Sequence, residues 1–210
     1  MPKRSILEAG KSYTFRNYFE MSYEPDEILA EFGVTLQRNN LSLPKPDPGR
    51  DWDGSTIDQL KQDIQRRLPY VSLTSEAARR EVLISPVVLT LIDYTQAQLR
   101  IEYTLNVSEQ LKGNLDYYLH TDHTLLVIEA KHADLARGFT QLAVELIALD
   151  RWSDSQEPVF YGTVSTGDVW QFGCLHRQTQ RVEQDLNLYR VPADLDELLS
   201  ALIAILNNPL

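Results

Sequence analysis

Residues 113–149 read GNLDYYLHTDHTLLVIEAKHADLARGFTQLAVELIAL, and the reading of this stretch decides the fold. Its middle, TLLVIEAK, is an apolar run of strand length that ends in an acid and a base, Glu129 and Lys131. Side chains alternate along a strand, so Leu125, Val127, Glu129 and Lys131 share one side, and Leu126, Ile128 and Ala130 share the other. Two apolar residues followed by two charged ones on one side describe a strand that leaves a core and enters a cleft. The preceding GNLDYYLHT and the turn-like TDH complete a hairpin. Asp134 then stands as cap for a helix over 135–149, whose positions 135, 139, 142, 143, 146 and 147 form an apolar stripe.

Outward from this centre the pattern stays regular. Upstream, LRIEYTLNV (99–107) alternates, with Leu99, Ile101, Tyr103, Leu105 and Val107 expected on one face. Before it, a helix is expected over 56–67 and another from Ser75 as N-cap, with Glu76 in its first turn and a kink or split at Pro86. Downstream lie VFYGTVS and VWQFGCLH, joined by TGD, then a short LNLYRV and a closing helix over about 194–206. A helix between the hairpin and the later strands permits a crossover connection. The expected fold class is therefore α/β, a mixed central sheet flanked by helices in the order α-β-β-β-α-β.

Residues 1–54 are read as an N-terminal appendage and linker, and 55–210 as the main domain. The appendage carries an aromatic stretch, YTFRNYFEM, and a short helix at PDEILAEFG; the linker is the proline- and glycine-rich LPKPDPGRDWDGS. A chain of 210 residues suits one domain of ordinary size. With 43% apolar and 24% charged residues, it has the composition of a folded globular protein.

Composition also excludes. The single cysteine, Cys174, rules out an internal disulfide and a zinc framework built on several cysteines. No secretory leader and no membrane-length apolar run are visible, so a cytoplasmic location and no membrane contact are expected. Lys and Arg total 20 against 30 Asp and Glu, a net charge of −10, which opposes nucleic-acid binding by bulk electrostatics. Any phosphate contact needs a local basic patch or a bridging cation.

Two carboxylates and an amine at a strand end are the groups that phosphoryl transfer requires. A hard cation such as Mg2+ prefers carboxylate oxygens and acidifies a bound water, while an ammonium offsets the charge that builds in the transition state. Asp116, on the preceding strand, is the upstream acid. Simple register counting does not set it facing Glu129, and a bend or bulge near Gly113 would be needed. Glu-x-Lys alone is weak, with on the order of one match expected in a chain of this length; the context of strand, upstream acid and following helix gives it weight.

On these residues, GNLDYYL followed by LLVIEAKHADLARGFTQLAVEL resembles the core of the PD-(D/E)XK nuclease superfamily, the restriction-endonuclease-like fold. With SEAARREVLISPVV before and PVFYGTVSTGDVWQF after, the pattern is similar to the N-terminal nuclease domain of type I restriction motor subunits, over roughly residues 74–176. The resemblance implies that Asp116, Glu129 and Glu76 bind Mg2+ or Mn2+, that Lys131 is the catalytic lysine, and that Gln141 supports the site. It implies a metal-dependent deoxyribonuclease acting on DNA, with a homodimer allowed. Leu115 stands where many such proteins have proline. The rival expectation is a module of the same fold without catalysis that binds nucleic acid or a protein partner; a purely structural interaction protein is the third.

Other constellations carry less. By spacing, Gln141 falls with Gly138, Glu145 and Ala148 on a face apart from the apolar stripe, either turned to the cleft or solvated. Arg79 and Arg80 steer phosphate or cover the helix with their stems. Of His120, His123, His132 and His176, the first two flank a turn and read as exposed. Phosphate loops and nucleophile elbows are absent. Trp152, Trp170 and Phe172 read as core or dimer contact.

Overall fold

A computed structural model describes residues 5–8, 10–46, 54–122, 124–129 and 134–207, with 124–129 as backbone only. Lys131, His123, His132 and most of the proline-rich linker lie outside the described residues. The fold is mixed α/β: one mixed sheet with helices on both faces. Its strands are β1 (Thr35–Asn39), β2 (Gln98–Ser108), β3 (Leu111–His120), β4 (Thr124–Glu129), β5 (Val159–Ser165), β6 (Val169–His176), β7 (Arg181–Asp185) and β8 (Tyr189–Arg190). They lie in the order β1-β7-β6-β5-β4-β3-β2, with β8 paired to β6. The β1–β7 and β4–β5 pairs are parallel and the others antiparallel.

The helices are α1 (Phe15–Glu20), α2 (Pro25–Ala30), α3 (Gly54–Arg67), α4 (Glu76–Arg79), α5 (Ser85–Thr95), α6 (Leu135–Trp152) and α7 (Leu195–Asn207). Ser75 caps α4 by accepting from the Ala78 amide, and Asp134 caps α6 by accepting from that of Arg137. Pro86 is accommodated by a π-helical turn, Arg80–Ile84, between α4 and α5. A proline ring crowds the carbonyl four residues back and leaves it without its donor; widening the turn ahead of the proline re-routes those bonds, so the axis continues.

Two cores sit on the two sheet faces. On one, α6 packs with α1 and α2 around Phe139, Leu142, Leu146, Phe160, Val164 and Leu175. On the other, α3, α5 and α7 close over Tyr117, Leu119, Trp170 and Phe172. Each such aromatic or aliphatic side chain contributes about 1.5–3 kcal/mol on leaving water.

The stretch before residue 54 is bound into this architecture. Phe15, Tyr18, Ile28 and Leu29 are buried in the α6 core, β1 extends the sheet beyond β7, and the Tyr18 hydroxyl donates to the Gln110 carbonyl. With α1 and α2 above it, α6 is buried on nearly all sides from Gly138 to Leu149.

The alternation expected along LRIEYTLNV does not hold. Leu99 packs in the α5-side core, Ile101 is exposed, and Tyr103, Leu105 and Val107 pack in the α6-side core. The reversal falls at Glu102, whose φ is +50°. The same happens across the ribbon: Leu115 and Tyr118 belong to the α6 side, Tyr117 and Leu119 to the α5 side. A left-handed residue within a strand rotates the chain beyond it, which is how two strands exchange faces while keeping register.

Candidate functional site

Asp116 stands at this exchange of faces. Register is kept on both sides of it, Ile101 with Tyr117 and Tyr103 with Leu115, so Glu102 lies across from Asp116. The irregularity thus falls three residues past Gly113, which has its own φ of +146° and packs against Phe15. Asp116 follows a residue of the α6 side and precedes one of the α5 side, and it is half-buried.

The β3–β4 ladder runs from His120–Thr124 to Tyr117–Val127 and stops short of the acids. Beyond it, β4 stays paired to β5, and the Glu129 backbone is in register with Ser165. Ser165 is buried and accepts from the Gly167 amide, and Trp170 closes the same turn by donating to the Gly167 carbonyl.

The helical segment that begins with Glu76 crosses these strand ends. Arg79 and Leu83 lie against Gly167, where an added Cβ would stand 3.1 Å from Cβ of Arg79. Arg80 forms a 3.3 Å ion pair with Glu102, and Ser85 shares a 2.9 Å hydrogen bond with the Tyr117 hydroxyl. Three contacts therefore fix the segment over the turn after β5 and over β2 and β3 beside Asp116. Glu76 is half-buried one turn before Arg80.

Arg79 and Arg80 are half-buried and held by the protein. Arg79 donates to the Leu73 carbonyl at 3.0 Å, and its Nε is buried without an acceptor among the described residues. Gln141 is 4% exposed and Glu145 is 0%, so this face of α6 is not solvated. The Gln141 amide donates to the Glu145 carboxylate at 2.8 Å, one helical turn away. Burial follows from α1 and α2, which cover the side of α6 that spacing alone leaves bare.

Asp116, Glu76 and the Glu129 backbone thus belong to neighbouring elements at one end of the sheet, whereas Gln141 belongs to α6 on the far face. All three acids offer hard oxygen donors of the kind Mg2+ and Mn2+ take. Among the described side chains, Asp116 and Glu76 do not form a three-ligand group with a third residue; the only such group is Cys174, His176 and Glu183. A cleft of about 760 Å³ lies elsewhere, between residues 41–46 and the β8–α7 region. Its lining includes neither Asp116 nor Glu76.

His120 is exposed, as read from its place beside a turn, and Trp170 and Phe172 are fully buried in the core. Trp152 is 43% exposed. No described helix is long and apolar enough to cross a membrane. No protein-family model matches the sequence, and a search of curated proteins gives no match.

Proposed function

We propose that this chain is a metal-dependent nuclease that hydrolyses phosphodiester bonds in DNA by in-line attack of water, on a restriction-endonuclease-like core. The observation that carries the reading is the exchange of faces at Glu102 and Asp116. In a regular ribbon, Asp116 would belong with Tyr118 on the α6 side; the reversal changes that parity one position before the β3–β4 ladder ends, near the strand end where β4 finishes at Glu129. The order α5-β2-β3-β4-α6-β5 is also that of the proposed core.

In this reading Asp116, Glu129 and Glu76 would hold Mg2+ or Mn2+. When bound, the cation supplies positive charge against the scissile phosphate and lowers the pKa of a coordinated water. Lys131 sets an ammonium beside the same phosphate, where it stabilises charge that develops only in the transition state. Glu76 and Asp116 are held by different layers, so their separation is fixed by the Arg80–Glu102 and Ser85–Tyr117 links rather than by a loop. Gln141 acts at a distance, tying Glu145 inside α6 and so fixing the helix that follows the Glu-x-Lys strand. Local cationic charge answers the net charge of −10, which would otherwise repel a polyanion.

The net charge and the internal engagement of Arg79 and Arg80 favour one rival, a module of the same fold that binds nucleic acid or a protein without cutting. Incubating the purified chain with plasmid and linear DNA separates the two. With Mg2+ or Mn2+ the chain should cut; chelator should abolish cutting. Glu129→Ala and Lys131→Ala should each lower the rate by at least about 10²-fold. Equal residual cutting in wild type and both variants would mean contamination and remove the enzyme.

A further inference from the structure

The end of β6 carries a cluster unrelated to the acids. Cys174 and His176 are two apart on one strand, so they share a face, and β7 aligns Glu183 with Cys174 and Arg181 with His176. Cys174 Sγ lies 3.6 Å from His176 Nε2, which lies 3.5 Å from Glu183 Oε1. The three ligand atoms are all within 4.8 Å of one another.

Those spacings have a specific meaning. Bond lengths of about 2.3 Å to sulfur, 2.05 Å to nitrogen and 2.1 Å to oxygen give a tetrahedral zinc ion ligand-to-ligand edges of about 3.5 Å for S to N and about 3.4 Å for N to O. The S to N and N to O separations here, 3.6 and 3.5 Å, are close to those edges, and the S to O separation is within 4.8 Å. A direct hydrogen bond between imidazole and carboxylate would instead hold the atoms at about 2.7–3.2 Å.

We propose that Cys174, His176 and Glu183 form a zinc-type transition-metal site with three protein ligands and a fourth position for water. A thiolate, an imidazole and a carboxylate select Zn2+ or Co2+ over Mg2+ and Ca2+. Cys174 is 3% exposed and forms the floor, while the side chains of Glu183 and His176 are 13% and 32% exposed, leaving an entry path at His176. Thiolate, carboxylate and dication sum to zero. Arg181 reaches Glu183 Oε1 at 2.8 Å, so the guanidinium and the cation share one carboxylate; it orients that ligand from outside while limiting affinity.

Without a cation, burial first and then the Glu183 carboxylate push the Cys174 thiol up to about 12. Metal uptake therefore displaces the thiol proton, which leaves to solvent as the metal–sulfur bond forms. Tyr161, in register with Cys174, also has its phenol pushed up to about 12, by burial and then by Cys174 and Glu183; it stays a neutral neighbour. Six residue steps along β6, from Trp170, which pairs with Ser165, to His176, separate this cluster from the Ser165 end of the sheet by about 20 Å. The ion would pin β6 to β7, and through β7 the edge strand β1.

The test is a Co2+ titration of the full chain after chelator treatment, followed in the near-ultraviolet and visible. Because Cys174 is the only cysteine, a thiolate-to-cobalt charge-transfer band can come from no other residue. The expected result is a band that saturates at one equivalent and is displaced by Zn2+. It should be lost in Cys174→Ser and shifted at least tenfold to weaker binding in His176→Gln, with circular dichroism showing both variants folded. His176 is partly exposed, so that variant remains informative should the serine variant not fold. No charge-transfer band in the folded wild type at saturating Co2+, or an unshifted titration in His176→Gln, would overturn the site.

Discussion

Glu102 and Asp116 face one another across the β2–β3 ribbon at the point where both strands exchange faces. Glu102 adopts a left-handed backbone there, φ +50°, which costs a non-glycine residue about 1–2 kcal/mol. Part of that cost is offset by the Arg80 ion pair, though an exposed pair contributes at most about 1 kcal/mol. A β-branched residue tolerates this backbone least. Glu102→Val is therefore expected to lower stability by about 1–3 kcal/mol, while Glu102→Gly should change it by less than about 1 kcal/mol. Urea unfolding of the two variants checks this, and a valine variant as stable as wild type would mean that the ribbon is regular.

The packing of α6 on the sheet sets a second expectation. A Cβ on Gly173 would come within 2.6 Å of Cε2 of Phe139 and 3.2 Å of the Glu183 carbonyl. Phe139 is fully buried, so the ring has no open space into which it can swing. Gly173→Ala is expected to destabilise by about 1–3 kcal/mol, with part of the loss recovered in the double variant Gly173→Ala, Phe139→Leu. Additive losses in a denaturant double-mutant cycle would contradict the contact.

Gln141 supplies a third case. Its amide donates to Glu145 inside α6, with both residues buried. Gln141→Leu removes the donor and leaves the carboxylate in place, and breaking one side of a buried pair costs about 1–3 kcal/mol. Thermal unfolding should show that loss. An unchanged midpoint would return this face of α6 to the solvated class.

Much of this fold is legible in the sequence. Ser75 and Asp134 mark helix starts because their side chains satisfy free amides, and the apolar stripe of 135–149 and the runs at 124–129, 159–165 and 169–176 carry their own periodicity. β1 and β7 are not legible: TLQRN and RVEQD each offer one large apolar residue, Leu36 and Val182, and become strands by pairing with each other and with β6. The exchange of faces is hidden too, since Glu102 is not the glycine or asparagine that usually marks a left-handed residue. The Cys174–His176–Glu183 group needed β7 to be known, because only the β6–β7 register brings Glu183 across from Cys174. Gln141 and Glu145 look like a surface face until α1 and α2 cover them.

Acid stability gives a fourth prediction. Asp194, just before α7, accepts from the backbone amide and both arms of Arg190 at 2.8–3.0 Å. The Arg190 side-chain hydrogen bonds, then its backbone amide, hold the Asp194 carboxyl down at about 2, below the ordinary value of about 3.9. A carboxyl whose folded-state pKa is depressed adds stability in full above its unfolded pKa and loses it as pH falls through the folded one. The stability difference between wild type and Asp194→Asn should be constant from pH 7 to about 5 and shrink between about pH 4 and 2. Unfolding midpoints across that range check it; a difference that grows as pH falls would reverse the sign.

The proposed nuclease site rests on Asp116 and Glu129 meeting at one cation, and crystals soaked in Mn2+ test that most directly. Anomalous scattering locates manganese without assuming its ligands, and a hard cation distinguishes the carboxylates from the cysteine-containing cluster at the other end of β6. The account predicts a peak within coordination distance of carboxylate oxygens from both Asp116 and Glu129. Asp116 and Glu129 on opposite faces of the sheet, with no manganese between them, would contradict it.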